Sequence, residues 1–196
     1  MRKKEDLENA EMIASFMNIP GNAATLFRGI AISAAITLEA EMNKLITEYF
    51  LVNDDLIRKE FKYIVLEKSQ VSFSFKQSIV QYIIQQNFVH LINSEPFFNG
   101  HKKNSKNKFN SILAEINDYR NECAHRETFF IPNGNLQLIN YKTGDGKILP
   151  PKFTNISNED FEEYLLKVNK CLNVIINALI ELKKTNQNKN KEKIIK

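Results

Sequence analysis

The chain has 196 residues, 43% of them hydrophobic and 26% charged, a size and balance that suit one globular domain and exclude disordered and fibrous classes. The formal net charge is +4, but Lys183 to Lys196 holds six lysines against one glutamate, so that tail carries +5 and the remainder is close to neutral at −1. Two cysteines far apart, no apolar run near the roughly 20 residues of a membrane span, and acidic residues in MRKKEDLENAEM where a secretion signal is apolar together lead us to expect a reducing, cytoplasmic setting without a membrane.

A short helical lead is expected around Leu7 to Met17. Pro20 and Gly21 separate it from a long amphipathic helix, Ala23 to Phe50, in which Phe27, Ala31, Ala35, Leu38, Met42, Leu45 and Tyr49 recur at steps of three and four. Its small residues Ala31, Ala34 and Ala35 let a neighbouring helix approach closely, and Glu39 and Glu41 flank its apolar face. Asp54 to Leu66 and Phe75 to Ile92 read as two further helices, and SQVSFSF between them alternates as a short strand does. Pro96, Gly100 and the run HKKNSKNK, with Lys102, Lys103, Lys106 and Lys108, form a basic loop ahead of a helix that begins near Phe109. PNGNLQLINYKTGDGKILPP alternates about a Gly144-Asp145-Gly146 turn and reads as a β-hairpin over 135–149. Ser157 to Asp160 forms a capping box, and Phe161, Leu165, Val168, Leu172, Ile175, Leu179 and Leu182 share one face of the last helix. The expected fold is all-α, an up-and-down bundle of four to five helices with a small β-hairpin insertion before the last one. Residues 1–184 would form a single domain and 185–196 a basic, disordered tail.

The helix that ends NSILAEINDYRNECAH carries an unusual pattern. At about 100° per residue, Arg120 lies only about 40° from the centre of the stripe made by Phe109, Ile112, Leu113, Ile116, Tyr119, Cys123 and Ala124, so a guanidinium points toward a face that should be dry. His125 lies about 180° from that centre in an ideal helix, and the two side chains converge only if the last turn unwinds or a second copy packs against this helix. Taken singly, Arg120 suits a buried pair with Glu39 or Glu41, and His125 suits the negative end of a helix dipole. Cys123 reads as a core residue. His90, His101, His125 and Cys123 lack metal-ligand spacing, and GDGK at 144–147 lacks the strand and helix of a phosphate loop, so neither metal nor cofactor is expected.

Taken together, Arg120-Asn121-Glu122-Cys123-Ala124-His125 resembles the R-x4-H signature of the HEPN superfamily, in the form with Asn after the Arg and Ala-His at the close. The order of elements is similar too: a long helix with internal Glu, a shorter helix, the motif helix and a closing amphipathic helix. The resemblance spans about residues 23 to 184, and its specific part is six residues long. It implies a four- or five-helix bundle that forms a homodimer with two motifs facing each other, and a metal-independent endoribonuclease. Arg120 and His125 would be catalytic, with Asn121 bonding the phosphate or the histidine, or serving only as a surface amide. Glu39 or Glu41 would orient Arg120, and Lys102, Lys103, Lys106 and Lys108 would contact RNA. The alternatives are a non-catalytic HEPN dimer that binds nucleotide, RNA or a partner protein, and a plain structural bundle. Toxin members controlled by nucleotidyltransferase antitoxins carry R-x4-H-x-Y, whereas Arg126 and Glu127 follow His125 here. That departure turns expectation from such an antitoxin toward another defence partner, in phage defence or abortive infection.

Overall fold

Six α-helices make up most of the described chain, as the three-and-four spacing of apolar residues predicts. The computed structural model describes residues 20–51, 55–68, 71–98, 105–130, 136–140, 143–144, 147–148 and 151–194. The helical lead expected around Leu7 to Met17, and Lys102 and Lys103, lie outside these residues. In order come α1 (Pro20–Phe50), α2 (Asp55–Glu60), a π-helical segment (Phe61–Leu66), α3 (Phe73–Asn87), α4 (Val89–Ser94) and α5 (Ser105–His125). Five strands follow, β1 (Glu127–Phe130), β2 (Leu136–Asn140), β3 (Thr143–Gly144), β4 (Lys147–Ile148) and β5 (Lys152–Ile156), and α6 (Asn158–Ile194) closes the chain. The fold is thus an all-α bundle with a small antiparallel hairpin before the last helix.

That hairpin pairs Thr143 with Ile148 and Gly144 with Lys147, on either side of the turn read from the sequence. The strands around it go further than the sequence suggested. β1, β2 and β5 form an antiparallel sheet with β2 in the centre, Leu138 facing Thr128 on one side and Thr154 on the other. Over its described residues, Val71 to Phe75, SQVSFSF contributes no strand: the Ser72 hydroxyl accepts the Phe75 N–H at 3.2 Å and opens α3, so a local cap outweighs the alternation. The helix expected over Phe75 to Ile92 is broken at Phe88, whose φ of −132° leaves the helical region. α6 continues through the basic tail to Ile194, where a disordered segment was expected; Lys, Gln and Glu are good helix formers on a solvated extension. Within Ala23–Phe50, α1 holds an 18-residue window of mean hydropathy 1.3, long and apolar enough to cross a membrane by length and composition, of which 28% is buried. Its Ala31, Ala35, Leu38, Met42 and Leu45 are at most 1% exposed and form its core-facing stripe.

Contacts divide the chain into two compact units, Met1–Ala34 with Asp118–Leu165, and Ala35–Asn117 with Leu166–Lys196, where the sequence had suggested one domain. The first unit packs Ala24, Leu138 and Ile156 together, with Phe27 and Tyr119 against them. Phe27 meets Phe161 at 4.5 Å between ring centroids, Tyr119 stacks on Tyr164 at 4.2 Å, and the Tyr164 hydroxyl donates to the Ala31 carbonyl at 2.8 Å. The second unit buries Leu38, Met42, Leu45, Ile83, Ile84, Ile92, Leu113 and Ile116, with Phe98 edge-on to Phe109. Its helices are also tied by polar contacts: the buried Lys76 pairs with Glu39, and the Gln77 amide donates to the Asn110 carbonyl and side chain at 3.0 and 2.7 Å.

The capping box at the start of α6 is complete. The Asp160 N–H donates to the Ser157 hydroxyl at 3.1 Å, and the Asp160 carboxylate accepts the Ser157 N–H at 2.9 Å. Ser157→Ala removes one of these partners and is expected to lower stability by about 1 kcal/mol. The urea midpoint measures this, with the slope unchanged.

Candidate active site

α5 brings Tyr119, Arg120, Asn121, Cys123 and His125 into its final turns. Tyr119 and the buried Cys123 face the aromatic packing of the first unit, and Arg120 and Asn121 are half-buried beside them. His125 is the last helical residue and is exposed. Among the described residues, the side chains of Arg120, Asn121 and His125 make no hydrogen bond or ion pair. The charge of Arg120 is nonetheless felt by the aromatic stack: burial raises the Tyr164 phenol above its ordinary value, Cys123 adds to the rise, and the guanidinium opposes it.

A helix end leaves its last carbonyls without intrahelical partners. Here Arg28, from α1, supplies them: its Nε donates to the Cys123 carbonyl at 2.8 Å and its Nη2 to the Ala124 carbonyl at 3.2 Å. The Arg126 N–H closes the last turn on the Glu122 carbonyl at 3.0 Å, and its guanidinium pairs with the Glu122 carboxylate at 2.8 Å. No glycine is needed to end the helix, and β1 begins at Glu127, one residue after Arg126. His125 therefore stands at a fixed helix-to-strand junction. Sequence reasoning missed Arg28, although a lone arginine in the otherwise uncharged run AATLFRGIAISAAITL was a visible signal.

The carboxylates proposed to orient Arg120 have lysine partners: Glu39 is held by Lys76 and Glu41 by Lys44, each at 2.5 Å. Of the basic loop, Lys106 lies in α5, and Lys108 is committed to structure. The Lys108 ammonium donates to the Phe97 carbonyl at 2.8 Å and sits 5.3 Å from the centre of the Phe97 ring. His90 pairs with Glu181 at 3.1 Å. No group of three His, Cys, Asp or Glu side chains converges as a metal set among the described residues. Burial pushes the Cys123 thiol up to about 11, so it is protonated at neutral pH and is a core residue rather than a nucleophile.

Two predictions follow from this packing. Arg28→Ala strips two carbonyls of their donor and is expected to cost about 2 kcal/mol, with faster hydrogen exchange in the last turn of α5. Second, burial raises Cys123, Tyr119, Tyr164 and Cys171 alike. Each group loses its proton in the unfolded chain before it does so in the folded one, so the unfolded state binds fewer protons and stability falls as pH rises above about 9. Denaturation at pH 7, 9 and 10.5 tests the sign, and a flat profile overturns it.

The chain matches no family model, no curated protein and no solved structure, so its function has to be argued from the chemistry of these residues.

Proposed function

We propose that the protein is a metal-independent endoribonuclease of the HEPN kind, a cytoplasmic homodimer in a toxin-like, abortive-infection or phage-defence role. One observation carries this reading. A half-buried guanidinium, an amide and an exposed imidazole lie within six residues at a buttressed helix end, and none has a partner among the described residues. A guanidinium partly removed from water without a counter-ion is unfavourable unless a ligand supplies the anion. The structural role open to Arg120, a pair with Glu39 or Glu41, is weakened for Glu39, whose carboxylate is held by the buried Lys76.

The residue types fit RNA cleavage by the ribose itself. The 2′-oxygen attacks the adjacent phosphorus, its proton passes to an imidazole, the bond to the 5′-oxygen breaks, and that leaving oxygen takes up a proton. The products are a 2′,3′-cyclic phosphate and a 5′-hydroxyl. An imidazole titrates near neutrality and can take or give the proton, and a homodimer supplies two copies of His125, one for each role. The Arg120 fork stabilises the charge that grows on the non-bridging oxygens, and the Asn121 amide donates to the same phosphate. Control by a defence partner is part of this reading. Modification of a tyrosine two residues after the histidine is not, since Glu127 stands there.

Single-turnover cleavage of a mixed RNA pool in chelator tests the proposal. His125→Ala is expected to slow cleavage by roughly 10²-fold or more with RNA binding retained, and Arg120→Ala by a similar or larger factor. Arg120→Lys should recover little, because a point charge does not reproduce the fork. The protein should sediment as a dimer whose interface exceeds about 1,000 Å². Folded variants that cut as fast as the parent, loss of activity in chelator, or a strictly monomeric mass at micromolar concentration would overturn the assignment; RNA binding without cleavage would leave the binding module in its place.

A further inference from the structure

The second unit holds a cleft of about 170 Å³ between the latter part of α1, the α2 and π-helical segments, and α6. Five cations line it, Lys44, Arg58, Lys59, Lys62 and Lys183, against one carboxylate, Glu48. Thr47 and Leu179 are buried and form an uncharged floor. Glu48 is engaged within the cleft, pairing with Arg58 at 3.2 Å and accepting from the Asn186 amide at 3.4 Å. Lys44 meets Glu41 and Lys62 meets Glu67 at 3.4 Å, contacts at a water-exposed rim that hold an ammonium only weakly. Lys59 and Lys183 are exposed and form no ion pair among the described residues. Tyr63, next in sequence to the cleft residue Lys62, has a ring that is 60% exposed, with the Lys62 ammonium 5.3 Å from its centre. Of the lysines at 101–108, where the sequence led us to look for RNA contacts, Lys108 is folded onto Phe97.

Cations gathered from four elements around a small uncharged floor suit an anion, and the size of the cleft suits a phosphate group rather than a whole nucleotide. An exposed aromatic ring alongside is the second half of a single-strand grip, in which the backbone follows the cations and a base stacks on the ring. The Phe61–Leu66 turn that carries Lys62 and Tyr63 is π-helical, a geometry that recurs at functional sites. We propose that this cleft is a phosphate-binding site that holds the backbone of single-stranded RNA, with a base on Tyr63. The choice of RNA as the source of the phosphate rests on the ribonuclease reading; the phosphate chemistry of the cleft does not.

The test uses the full chain carrying His125→Ala, so that the probe stays intact, and a labelled oligouridine read by fluorescence anisotropy over a range of salt. Lys59→Gln with Lys183→Gln should weaken binding by about tenfold or more. It should also lower the slope of log affinity against log salt by about 1.4, since each single-strand phosphate contact contributes about 0.7. Tyr63→Ala should weaken oligouridine about tenfold and leave competition by inorganic triphosphate unchanged. Unaltered affinity and slope in the folded lysine variant would overturn the cleft as a binding site. Triphosphate binding that depends on the lysines, with oligouridine indifferent to Tyr63→Ala, would overturn RNA as the ligand and assign the cleft to a free polyphosphate. Lysine-dependent RNA binding by a parent chain that does not cleave supports the cleft while overturning the ribonuclease. Cleavage lost in Arg120→Ala, with lysine variants that bind normally, does the reverse.

Discussion

The hold of the Arg28 guanidinium on the carbonyls of Cys123 and Ala124 determines what the rest of the first unit can be. A helix normally ends in solvent, or on a glycine that turns the chain away. With a charged donor on its last carbonyls, α5 can end against protein, and the backbone passes from His125 through Arg126 directly into β1. The register of β1 on β2, and of β2 on β5, starts from that fixed point. The aromatic packing of Phe27, Phe161, Tyr164 and Tyr119 then fills the space on the same helix side.

Charge is distributed unevenly between structural and idle roles. In the second unit the cations that cross between helices meet carboxylates: Lys76 with Glu39, Lys167 with Glu115 and Lys170 with Glu95. Of these pairs Lys76 with Glu39 helps fix which helix faces meet, since the buried Lys76 ammonium would otherwise be desolvated without a partner. The Lys170 ammonium also holds the Glu95 carboxyl below its ordinary range. Arg120 stands outside this pattern, half-buried and unpaired among the described residues, and so do the exposed Lys59 and Lys183. Cations that a fold does not use internally are where its anionic ligands are to be sought.

What the sequence made legible was local. Steps of three and four mark α1 and α6, the capping box fixes the start of α6 at Ser157, and the glycines around Asp145 mark the β3–β4 turn. The last turn of α5, with its arginine and histidine, was also readable, because helix geometry alone sets which face each residue takes. The misreadings have long-range causes. Arg28 and Cys123 are 95 residues apart, and Glu39 and Lys76 are 37 apart, so no window reveals either contact. β1 is only four residues long, too short for alternation to declare it, and it exists because β2 offers a partner. The basic cleft was hidden because its lysines come from three separate stretches, and only Lys183 belongs to a charge run.

The Phe61–Leu66 segment has a bearing on how this chain can change in length. A π-helical turn is an α-helix that has taken in an extra residue, and here the Glu67 N–H reaches back five positions to the Lys62 carbonyl at 2.9 Å. Because the widened turn absorbs the extra residue, deleting one residue here restores ordinary helical bonding and leaves Leu66, buried at 1% exposure, on its own side of the helix. A change of one residue in length is thus taken up locally at this turn, where the same deletion in an ordinary helix would rotate the residues after it by about 100°.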